Sequence, residues 1–188
     1  MSIVVVVKKD KEIVIASDSL SSRGSLLVSS QYKTNNEKFI KYKDSWIGCV
    51  NSAMSIQMLQ HALKNSEEEF FFDGVDNIYS SMLKLHKILK EDYYLSPKKK
   101  EVSQTVEPTN MRLLIANSSG IYGVDTDKNI EVFSKFWATG SGGTFALGAM
   151  YHVYDKFDAS QIAQAGVETA CAFDEGSALP MHIETMKE

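Results

Sequence analysis

The sequence predicts an α+β domain in which antiparallel sheets carry pairs of helices. Three observations predict it. Short β-branched runs come in pairs joined by polar turns, the runs fall into two blocks, and each block is followed by two segments of helical periodicity. Hairpin-linked runs make antiparallel sheets, and two successive amphipathic helices fold back onto a sheet face. At 188 residues the chain has enough length for one sizeable core, so residues 1–188 are expected to form a single domain.

Residues 3–7 (Ile3-Val4-Val5-Val6-Val7) and 13–17 are apolar, mostly β-branched runs flanking a polar turn, which predicts a first hairpin. Residues 18–37 are rich in Ser and Asn and predict a loop with one short strand at 26–28. Residues 38–42 and 46–50 predict a second hairpin turning at Lys43-Asp44-Ser45. Ser52 is placed to cap a helix reaching Lys64, in which Ile56, Leu59 and Leu63 recur at helical spacing. A second helix is predicted over 75–92, with Val75, Ile78, Met82, Leu85, Ile88 and Leu89 on one stripe. Residues 93–110 hold two of the three prolines and predict an irregular excursion. Residues 111–117, 120–124 and 131–137 predict three successive strands. Gly140-Ser141-Gly142-Gly143 then breaks the sheet and leads into a helix reaching Tyr154. Ser160 is placed to cap a further helix ending at Phe173, and residues 181–185 predict a last short strand.

Composition narrows the function. A formal charge of −4 leaves no basic footprint for nucleic acid, and the one basic run, Lys98-Lys99-Lys100, reads as a solvated loop. Cys49 and Cys171 sit in apolar contexts at no metal-ligand spacing and read as buried, reduced thiols. His61, His86, His152 and His182 form no ligand pair. The run 3–7 is too short for a signal peptide or a membrane span, so a cytoplasmic protein is expected. No Walker-type Gly-rich loop is present, so any ATPase that serves this protein is a separate chain.

The chemical feature is Ser2. Removal of Met1 leaves a hydroxyl and a free α-amine on one residue, a nucleophile that carries its own general base. A small second residue favours that removal, and no propeptide is expected to stand before it.

The element order and three motifs resemble the proteasome β-subunit family, which includes HslV-type peptidases and small bacterial homologues. "VVVVKKDKEIVIASDS" (4–19) is similar to the family's opening hairpin, "EKFIKYKDSWIGCVNSA" (37–53) to its second hairpin, and "WATGSGGTFALGAMY" (137–151) to its strand, Gly-Ser-Gly-Gly turn and helix. The resemblance covers almost the whole chain. It implies a four-layer αββα sandwich of two antiparallel sheets flanked by helix pairs, the N-terminal-nucleophile hydrolase fold. Matched position by position, the family nucleophile falls on Ser2, its acidic partner on Asp18 and its lysine on Lys38, with Lys33 as the alternative. The turn serine is Ser141, and Asp174 with Ser177 matches the family's late Asp-x-x-Ser pair. The oxyanion amide falls at Asn51 and Ser52, where the family usually places a glycine before a Ser/Thr-Ala pair. Taken singly, Asp18 is a turn residue, Lys38 a solvated charge and Ser141 a helix cap. Taken together, they are the parts of one site.

An α-amine titrates at about 7.7–8.0 and accepts a proton near neutrality with little tuning. A lysine ammonium beside it lowers that value by like-charge repulsion. Asp18 would balance Lys38, while Ser141, Asp174 and Ser177 would orient the amine. The resulting chemistry is acyl transfer to Ser2 followed by hydrolysis, with no metal or organic cofactor. The resemblance therefore implies an N-terminal-nucleophile endopeptidase of the threonine/serine type. It would self-assemble into homo-oligomeric rings or helical assemblies and act on peptides or unfolded proteins, with or without a separate ATP-dependent unfoldase. The second-helix stripe, with Met54 and Met58 of the first helix, reads either as ordinary core or as a candidate for ring contacts. Serine in place of the family's usual threonine, and Asn51 in place of glycine, keep two alternatives open: an inactive assembly subunit and a small-molecule amidase. An intact Met1 would block the proposed base.

Overall fold

Strand β1 (Ile3–Lys9) pairs antiparallel with β2 (Glu12–Ser17) across the two-residue turn Asp10-Lys11. Both turn residues have positive φ, 51° and 65°, as a hairpin turn matched to strand twist requires. The computed structural model describes residues 2–95 and 106–188. The next elements in chain order are β3 (Ser21–Arg23), β4 (Leu26–Val28), β5 (Phe39–Tyr42), β6 (Ser45–Cys49), α1 (Ala53–Asn65) and α2 (Val75–Glu91). They are followed by β7 (Leu113–Asn117), β8 (Gly120–Val124), β9 (Ile130–Phe133), β10 (Phe136–Gly140), α3 (Gly143–Val153), α4 (Ala159–Phe173) and β11 (His182–Lys187). One sheet has the order β10-β1-β2-β11, and the other runs β5-β6-β7-β8-β9.

The strands explain the layering. In β1, Ile3, Val5 and Val7 pack with Ala146, Met150, Ile162 and Val167 of α3 and α4, while Val4 and Val6 face the other sheet. In β7 the same alternation holds: Leu113 and Ile115 face Leu59, Met82 and Leu85 of the first helix pair, while Leu114 and Ala116 meet Val4 and Val6. A strand buried on both faces reads as an unbroken apolar run, which is why residues 3–7 carry no polar alternation. Three cores result: one between the sheets and one under each helix pair. The four-layer αββα sandwich is therefore the observed architecture.

Five expectations are corrected. The segment 131–137 is not one strand; it breaks at Ser134-Lys135, and β9 and β10 belong to different sheets. Phe133 and Trp137 stack across the step with centroids 4.4 Å apart, and the Lys8 N–H donates to the Lys135 carbonyl at 2.6 Å. The loop 18–37 holds two strands, because the polar residues Ser21–Arg23 pair with Leu26–Val28 around Gly24 at φ 59°. Asp158, not Ser160, caps α4: its carboxylate accepts the Gln161 N–H at 2.8 Å, and the Gln161 side chain returns to the Asp158 N–H. The second-helix stripe is core rather than interface, since Ile78, Met82, Leu85 and Leu89 are buried and Met58 packs on the same core; Val75 and Met54 remain exposed. Cys49 is buried as expected, but Cys171 is only half-buried. The basic run Lys98-Lys99-Lys100, most of the 93–110 excursion and Met1 lie outside the described residues. No helix among the described residues is long and apolar enough to cross a membrane.

Gly140 joins the fold to the site. It has φ 116°, pairs with Ile3, and a Cβ there would lie 2.0 Å from the Ser2 carbonyl oxygen. Gly140→Ala is expected to lower stability by about 3 kcal/mol or more, through backbone strain and displacement of the β1 start. The urea midpoint measures it; a shift below about a third of that would show that β10 relaxes freely.

Candidate active site

The β1–β10 ladder sets the position of Ser2, the residue immediately before β1. Ser2 is buried, at 5% exposure. It lines a cleft of about 490 Å³ together with Lys33, Lys38, Asn51 and Ser52. The cleft thus gathers Ser2 from β1, both candidate lysines from the β4–β5 connection, and the loop leading into α1.

Asp18 lies at the end of β2, fully buried. Its Oδ1 accepts the Ile3 N–H at 2.9 Å, and its Oδ2 accepts the N–H groups of Leu20 at 2.9 Å and Ala178 at 3.4 Å. One carboxylate therefore ties the start of β1 to two loops. Burial pushes its pKa up, opposed by the positive charge of Lys38 and by the three amide bonds. Burial likewise pushes Lys38 down, with Asp18 acting upward and Lys33 downward. Among the described residues no Lys38–Asp18 contact falls within 4.0 Å. Lys38 Nζ instead donates to the Leu20 carbonyl, the same residue whose N–H bonds Asp18. Leu20 is a bridge that residue types do not announce, because it acts through its backbone alone. Lys33 Nζ donates to Ser21 Oγ at 2.7 Å.

A second cluster lies where α3 begins and α4 ends. Asp174 caps the end of α4, and its Oδ2 accepts from Ser141 Oγ and Ser177 Oγ, both at 2.7 Å. Ser141 is therefore not the cap of α3; Gly142 holds that position. A Cβ on Gly142 would lie 2.7 Å from the Ala170 Cβ and 3.3 Å from Ser177 Oγ, so glycine lets the two helices close over the cluster. Burial alone would raise the Asp174 pKa, but hydrogen bonds from Ser177, Ser141 and the Gly176 amide together hold it below the usual value of 3.8. Its stabilising contribution is thus present above that value and lost as pH falls through the lower folded pKa. Asp174→Asn is expected to cost stability at pH 7, with the gap to the parent closing below about pH 4; urea unfolding at both pH values checks this, and an unchanging gap would show that charge plays no part.

Ser141 also lines a second cleft of about 610 Å³, which shares Asn51 and Ser52 with the first. The Asn51–Ser52 loop separates the two. The Asn51 side chain donates to the Asn110 carbonyl, and Ser52 caps α1 by accepting the Ser55 N–H at 3.1 Å. The Asn51 N–H acts on the Cys49 thiol, whose pKa burial pushes up to about 11. Among the described residues no cluster of His, Cys, Asp or Glu gathers to hold a metal.

Comparison with known proteins reaches the whole chain. BPH of Thiobacillus denitrificans, a bacterial proteasome homologue, is 37% identical, with 98% of this chain and 97% of that chain covered and a TM-score of 0.91. The same protein in complex with epoxomicin matches at 37% identity and a TM-score of 0.90, over 98% of each chain. HslV from Trypanosoma brucei shares the fold at 18% identity and a TM-score of 0.68, over 99% of each chain. No protein-family model matches, and no curated protein matches.

Proposed function

The chain belongs to the proteasome β-subunit and HslV-type peptidase family, and from that premise we propose that it is a self-compartmentalising peptidase. Ser2, exposed by removal of Met1, is the nucleophile, and its α-amine is the general base. The observation that carries this reading is the burial of Ser2 in the cleft that Lys38 also lines, with Asp18 bonding the amide next to it.

As Ser2 Oγ attacks the scissile carbonyl, its proton passes to the α-amine, and the oxyanion turns toward the Asn51–Ser52 amides. The protonated amine then donates to the leaving amine, and water repeats the sequence to free Ser2. Lys38 holds the amine's pKa down by its positive charge, while Asp18 answers that charge from beneath. Ser141, Asp174 and Ser177 orient the amine. Residues 1–188 act as one domain, copies of which assemble into a ring or helical homo-oligomer in the cytoplasm. Peptides or unfolded polypeptides are the substrates, and no cofactor takes part.

Intact mass of protein made with normal Met processing should be short by one Met. Epoxomicin, seen bound to the relative, should then add one adduct, absent in Ser2→Ala. The Cys49 and Cys171 thiols, both raised by burial to about 11, are poor competitors for an electrophile. An adduct retained in Ser2→Ala would place the nucleophile elsewhere. Asn51 at the oxyanion position favours one other reading, an inactive subunit, which would assemble yet take no adduct.

A further inference from the structure

The cleft at Ser2 carries more positive charge than the proposed chemistry uses. Arg23 at the end of β3 and Lys33 line it together with Lys38. Glu37 is the one acid among the lining residues, and it is exposed. Asp18 lies beneath and is matched with Lys38. Among the described residues neither Arg23 nor Lys33 meets a carboxylate within 4.0 Å. The partner of Lys33 is the neutral hydroxyl of Ser21. The protein as a whole carries a formal charge of −4, so this is a local positive site on an acidic molecule. A concave wall concentrates such a field, and unmatched cations there favour an anionic ligand. The cleft is also lined by the apolar residues Val28, Ile40, Val50 and Ile56, which suit the stem of a side chain that ends in charge.

We propose that Arg23 and Lys33 make this cleft select peptides with an acidic side chain on the acyl side of the scissile bond. The inference rests on the peptidase reading above. Two fluorogenic peptidyl amides that differ only as Glu or Gln before the scissile bond test it, since they match in shape and differ in charge. The Glu peptide should have a kcat/KM at least about tenfold higher, and the ratio should shrink as salt rises from about 0.05 M to about 0.5 M. Arg23→Gln with Lys33→Gln should bring the ratio toward one, and Arg23→Glu should favour the Gln peptide. A wild-type ratio of one or less, with turnover intact, overturns the proposal and leaves the peptidase reading standing. Binding of the same peptides to Ser2→Ala needs no turnover: tighter binding of the Glu peptide supports the proposal, and equal or weaker binding overturns it. Absence of both turnover and an epoxomicin adduct in the parent protein would instead count against the peptidase reading.

Discussion

Ser2→Ala is expected to reduce peptide hydrolysis by at least about a thousandfold in kcat while leaving fold and assembly intact, because loss of a nucleophile removes the covalent route entirely. The structural cost should be small. The side chain is one hydroxyl, and the position of Ser2 is set by the β1 ladder and by the Ile3 N–H bond to Asp18, neither of which uses it. A lost buried hydroxyl contact costs about 1 kcal/mol, so the urea midpoint should fall by only about 0.5 M. Ser2→Thr keeps the hydroxyl and the amine and adds the methyl that restricts its rotamer; it should retain turnover. Full turnover in Ser2→Ala would show that the hydroxyl is not the attacking group. A large loss of stability alongside lost turnover would reassign Ser2 to structure, and retained activity in Ser2→Thr separates the two.

The parts of this fold that sequence reveals are those where one residue type does the work. Ile3 to Val7 and Leu113 to Ala116 are apolar on both faces because a sheet or a helix pair covers each face, and such runs stand out. The strand Ser21–Arg23 does not stand out, since its pairing comes from the Gly24 turn and not from its side chains. The passage between sheets at Ser134-Lys135 is equally silent, because apolar residues continue on both sides of it. In the site, Ser2 was suggested by its own chemistry, and Asp18 and Lys38 came from a resemblance; Ser2 and Lys38 line one cleft, and Asp18 bonds the Ile3 amide next to Ser2. What no pattern could show is that Lys38 reaches the Leu20 carbonyl rather than the Asp18 carboxylate, or that the Ala178 amide completes the Asp18 contacts. Those are backbone groups, and every residue but proline carries the same ones. Ser141 shows the reverse case. A serine before a helix reads as a cap, yet its hydroxyl is spent on Asp174, because α4 brings a carboxylate within 2.7 Å.

Lys38→Ala is expected to lower kcat by at least about a hundredfold on a neutral peptide, the scale for loss of a tuned general base. Lys33→Ala should cost less than about tenfold on the same peptide, since its charge acts on Lys38 from outside the pair with Asp18. Two effects compound in Lys38→Ala. The amine loses the neighbouring cation that held its pKa down, so it is more protonated at neutral pH and a poorer base. Asp18 loses the charge that offset its burial, and its own pKa moves further up. Both shifts have the same sign, so the acid limb of kcat/KM against pH should move to higher pH and part of the lost rate should return in alkali. A merely structural lysine would lower activity equally at every pH. Lys38→Arg retains a charge that stays protonated across the whole range, so it should hold the limb near its parent position even where reach to the Leu20 carbonyl is imperfect. If Lys33→Ala moves the limb and Lys38→Ala does not, the two lysines exchange roles. The family lysine would then fall on Lys33.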